Sequence, residues 1–159
     1  MCLQVDNFYV KNFFTLIRSV CTAAVHAKMG YIGGMNKYVE VGVISLGTTS
    51  QDGNQRQVKV EVLGVLDYES KRVRLMAVEP MADSDRNLRK RFSKILEPLT
   101  SWVHPASTIL TDFSIDKSTL QALGFNTVIQ NNATDTGTMV GGKWRNNSNI
   151  MDYLRKVYK

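Results

Sequence analysis
Apolar side chains at Phe8, Phe13, Leu16, Ile17, Val20, Cys21, Ala24 and Val25 recur at helical spacing, which predicts a helix over 6–27 with Asp6 able to cap its start. Gly30, Gly33 and Gly34 then break the helix. Three segments with alternating or valine-rich character follow: 38–46 (YVEVGVISL), 57–67 (QVKVEVLGVLD) and 72–79 (RVRLMAVE), each read as a strand. The polar stretch 47–55 joins the first two strands, and a tight turn from Tyr68 to Lys71 joins the second and third. Short turns between successive strands predict an antiparallel meander. Pro80 ends the third strand. Asp83 or Ser84 can cap a helix over 85–97, with Leu88, Phe92, Ile95 and Leu96 on its inner face. Pro98 and then His104-Pro105 mark its exit. A short buried strand is expected over 107–112, and a helix from Ser114 to Leu123 that Gly124 stops in a left-handed cap. A fifth strand is expected over 125–130. The polar, glycine-rich 131–147 reads as a loop, and 148–158 as a closing helix with Ile150, Leu154 and Val157 at helical spacing.

The element order α-β-β-β-α-β-α-β-α suits several α/β folds. With 159 residues and no internal repeat or long linker, the chain is expected to form one domain around one core. An apolar content of 43% with 21% charged residues fits a globular chain. No apolar run reaches the roughly 18 residues of a membrane span. The nearest candidate, Phe8 to Val25, is interrupted by Lys11, Asn12 and Arg18, and is expected to be a buried helix. It also lacks the basic start and unbroken apolar core of a signal peptide. Cys2 and Cys21 form no CxxC pair, Cys21 is expected to be a buried thiol, and a reducing compartment follows. His26 and His104 stand far apart without a ligand partner, so neither a zinc site nor another cofactor is expected. Gly33-Gly34 and Gly141-Gly142 are not phosphate loops, because neither joins a strand to a helix with a following Lys-Ser/Thr.

Several segments carry a family resemblance. The stretch 106–125 (ASTILTDFSIDKSTLQALGF) is similar to the second-aspartate segment of Merlin-superfamily DDE transposases, a group with bacterial insertion-sequence relatives. Residues 31–47 (YIGGMNKYVEVGVISLG) resemble the glycine-pair and first-aspartate segment of that family, 73–95 its third strand and following helix, and 147–156 (NSNIMDYLRK) its last catalytic helix. Tyr9, Arg18 and Cys21 resemble a stretch of its leading helix. The pieces occur in the family's order and cover nearly the whole chain. The resemblance implies an RNase H-like fold of the retroviral-integrase type, a five-stranded mixed sheet flanked by helices. It implies one domain over 1–159, with 1–30 as an N-terminal helical segment packed on it.

Enzymes of this family are expected to hold two divalent cations with converging carboxylates. Carried over position by position, the resemblance puts the first acid on Gly42, the second on Asp112 and the third on Met151, with the acid after the first falling on Val43. Glycine removes a ligand, and methionine offers a soft thioether where a hard oxygen is required. The expectation is therefore a degenerate centre with no bound metal and no catalysis. A displaced set of Glu40, Asp112 and Asp152 is the alternative, since Glu40 shares a strand face with Gly42. The plainer readings are a helix-capping role for Asp112 and a salt bridge or exposed edge position for Glu40.

The formal charge of +6 suits an anionic partner and does not demand one. Arg86, Arg89, Lys90, Arg91 and Lys94 make one helix basic, either as a phosphate-contacting face or as an ordinary solvated one. Trp144 between Lys143 and Arg145 can stack on a base, anchor a partner, or fold back onto the core. Together these features lead to the expectation of a catalytically inactive, domesticated transposase domain. Its role would be protein–protein contact, including homodimerisation, in a nuclear DNA- or chromatin-associated complex. The alternatives are a non-cleaving DNA-binding module with weak non-specific affinity, and a metal-dependent nuclease with the displaced acidic set.

Overall fold
The computed structural model describes residues 6–49, 57–78, 88–131, 138–140, 143–145, 150 and 156. The chain divides into two compact units, Met1–Gly30 and Tyr31–Lys159.

The first unit is a single helix, α1 (Asn7–Met29). Asp6 caps it, its carboxylate accepting from the Phe8 N–H at 3.0 Å, and Gly30 ends it at φ 59°. Thr15 and Ser19 donate their hydroxyls to the carbonyls of Lys11 and Thr15, one turn back. No residue of α1 is buried, and the Cys21 thiol is exposed. This departs from the buried helix and buried thiol expected from the pattern. Helical spacing shows that an apolar face exists, and a lone helix has no second layer within its own unit against which to bury it.

The second unit is an α/β layer structure. Its order is β1 (Tyr38–Thr49), β2 (Gln57–Asp67), β3 (Val73–Val78), α2 (Leu88–Leu96), α3 (Leu99–Trp102), β4 (Thr108–Asp112), α4 (Lys117–Ala122), β5 (Val128–Asn131), β6 (Thr138–Val140) and β7 (Lys143–Arg145). The main sheet is five-stranded and mixed, in the order β3-β2-β1-β4-β5. β1, β2 and β3 form the expected antiparallel meander, while β4 runs parallel to β1 and β5 parallel to β4. The β2–β3 turn is built around the buried Asp67, whose carboxylate accepts from the Glu69 N–H at 3.0 Å and from the Ser70 hydroxyl at 2.6 Å. Lys71 follows at φ 58°.

Both faces of the sheet are buried. On one, Val39, Val41, Leu63, Val65 and Ile109 alternate inward, and the core continues through Ile95, Leu96, Leu99, Trp102, Val103 and Leu120 of the helical segments. Arg74 is buried on that side with its guanidinium over the Trp102 ring, 5.5 Å from the centroid. Burial, and then the neighbouring Arg72 charge, lower its pKa from the usual guanidinium value. On the other face, Ile44 and Val62 pack with Ile150, flanked by Leu66, Val73 and Leu75. Ile32 pairs with Val103 as an isolated parallel bridge, which ties the start of the unit to the residue after α3.

Five elements differ from the pattern reading: β1 runs on to Thr49, into the polar stretch 47–55 expected to be a turn, and β5 begins at Val128 instead of 125. Pro98 does not simply end a helix; it caps α3, where a fixed φ of −58° suits a helix start. The helix expected from Ser114 begins at Lys117, capped by Asp116, whose carboxylate accepts from the Ser118 N–H at 3.0 Å. The stretch expected to be a loop over 131–147 holds the β6–β7 pair, with Met139 opposite Trp144. Its Gly141-Gly142 dipeptide is itself a hairpin signal. The predicted caps Asp83 and Ser84 lie outside the described residues. Of the closing helix, Ile150 and Lys156 are described and both are helical.

Candidate functional site
Strand register decides what stands next to what. β1 and β4 pair in parallel, with Tyr38 beside Thr108 and Glu40 beside Leu110. The pairing ends there, and Gly42 and Asp112 stand two residues further along each strand, on neighbouring strands and on the same face as Glu40 and Leu110. On its other side Gly42 pairs with Gly64 of β2. Further along the same face sits the Ile44, Val62 and Ile150 cluster. Ile150 precedes the third carried-over position, Met151, which lies outside the described residues, as does Asp152.

Asp112 ends β4 half-buried. Its Oδ1 accepts from the Ser114 N–H at 2.9 Å and also from the Ser114 hydroxyl. This is an Asx turn that carries the chain out of the sheet, with the helix cap left to Asp116. Gln130 on β5 braces the same turn by donating to the Ile115 carbonyl at 2.6 Å. Beside it opens a cleft of about 410 Å³ lined by Phe92, Phe113, Ile115, Lys117, Thr119 and Gln130, with Phe113 exposed.

Glu40 is neither on an edge strand nor exposed. It is 1% exposed in β1, which lies between β2 and β4, and its Oε1 accepts from the Ile150 N–H at 3.1 Å. The carboxylate ties the helical residue Ile150 to the centre of the sheet. No sequence signal marks this bond, because its partners are 110 residues apart.

Two of the three carried-over positions are described. Of the carried-over positions described, one offers a carboxylate already engaged by Ser114, and the other is glycine. Among the described residues, no three His, Cys, Asp or Glu side chains gather as a metal-binding group. His104 Nδ1 accepts from the Ala106 N–H at 3.1 Å, within its own loop.

The basic residues are distributed over separate elements. Arg89, Lys90 and Lys94 lie on α2, where Lys94 is exposed; Lys143, Trp144 and Arg145 form β7; and Arg86 lies outside the described residues. No described helix is long and apolar enough to cross a membrane. Comparisons with protein-family models, curated proteins and solved structures give no match.

Proposed function
We propose that this chain is a transposase-derived, RNase H-like domain of the Merlin type, whose cutting centre is lost and whose folded body serves as a protein–protein contact and self-association scaffold in a nuclear complex on DNA or chromatin. The observation that carries the reading is the register of β1 on β4. It puts Glu40 beside Leu110, and Gly42 and Asp112 follow two residues on along the same face, which Ile150 also touches. Two of the family's three acid positions thus fall on neighbouring strands and on one face, which supports the resemblance. The sheet order, with three antiparallel strands followed by two parallel ones, is also the order such a domain needs.

The chemistry at that spot supports a silent centre. Gly42 supplies no oxygen, Met151 would supply sulfur, and Glu40 is held by a backbone N–H. Titration calorimetry with Mn²⁺ and a plasmid-nicking assay test the reading directly. The chain is expected to show neither saturable binding nor cleavage. The double variant Gly42→Asp with Met151→Glu is expected to gain saturable Mn²⁺ binding, and a third change, Asp112→Ala, to remove it. Cleavage by the unaltered chain that depends on Asp112 would overturn the proposal. A tagged chain that retrieves no partner from nuclear extract would count against the scaffold role.

A further inference from the structure
We draw no further inference here: the strongest candidate, the unpartnered apolar face of the N-terminal helix α1 with Tyr9, Phe13, Leu16 and Val20 exposed, carries nothing, because nothing among the described residues shows what covers it.

Discussion

Glu40 is a carboxylate 1% exposed, on an interior strand, and accepts from the Ile150 backbone N–H. Burying a charged group is costly unless hydrogen bonds offset the loss of water, and a hydrogen bond to a charged group contributes about 1.5–3 kcal/mol. Removing it strands the Ile150 N–H and leaves a void at a buried strand position. Glu40→Ala is therefore expected to lower stability by about 2–4 kcal/mol in urea denaturation. Glu40→Gln keeps an oxygen acceptor of nearly the same size and should recover more than half of that loss. Were Glu40 a metal ligand instead, Mn²⁺ would raise the unfolding midpoint of the unaltered chain and not of Glu40→Gln. A second residue-scale case is Gly33, at φ 84°, where an added Cβ would lie 2.2 Å from the Ser107 Oγ and 2.8 Å from the Val39 Cγ2. Ser107 cannot move aside freely, because it is buried and its Oγ accepts from the Gly34 N–H at 2.8 Å. Left-handed strain costs roughly 1–2 kcal/mol and overpacking about 1–3 kcal/mol, so Gly33→Ala should destabilise by about 2–4 kcal/mol, measurable as a lower urea midpoint at unchanged slope.

At the scale of elements, the short helix α4 depends on its ends more than on its length. Asp116 accepts from the Ser118 N–H at its start, while Gly124 and Phe125 donate back to the Gln121 and Leu120 carbonyls at its finish. Asp116→Ala is expected to cost about 1 kcal/mol, read from chemical denaturation, and Asp116→Asn much less. The same element shows what the sequence made legible. Its finish at Gly124 was readable because a positive φ favours glycine, here φ 100°. Its start was misplaced by three residues, because Asp112, Ser114 and Asp116 are all competent caps and only the observed bonds separate an Asx turn at 112–114 from a helix cap at 116. The β1–β2–β3 meander is legible in its order and pairing, since alternation has period two and the Tyr68–Lys71 turn leaves little freedom of register, but the polar character of 47–49 hides the last three residues of β1. The β6–β7 pair was hidden because strands of three residues carry too few positions for alternation to register, leaving only Gly141-Gly142 as a clue. At the candidate site, the alternation of β1 gives Glu40 and Gly42 a common face in advance, but not the burial of Glu40. That burial depends on a helical residue brought to the sheet from the far end of the chain.

At the scale of the whole molecule, the question is what a charge of +6 accomplishes. Affinity for duplex DNA is governed by how many phosphates are neutralised together, and each such contact steepens the salt dependence. Spread over a whole domain, a modest excess of cations gives loose electrostatic attraction; a nucleic-acid interface gathers them along one groove or helix. The cations singled out as a candidate phosphate surface are divided between α2 and β7, and further described cations lie on α1, in the β2–β3 turn and on α4. Lys37 is held in an ion pair with Glu69, and Arg74 is buried against Trp102, so neither is available to a phosphate. The scaffold reading then makes a quantitative statement. Fluorescence anisotropy at physiological salt should give affinities in the non-specific range of ~10⁻⁶–10⁻⁴ M, with no preference among duplex sequences and a log–log salt slope of small magnitude. Changing Lys94 to Ala should alter that affinity by less than about tenfold, as expected for one phosphate contact among a few. Nanomolar, sequence-selective binding with a steep salt slope would instead make direct DNA recognition the chain's main activity. Protein contacts would then be secondary to it.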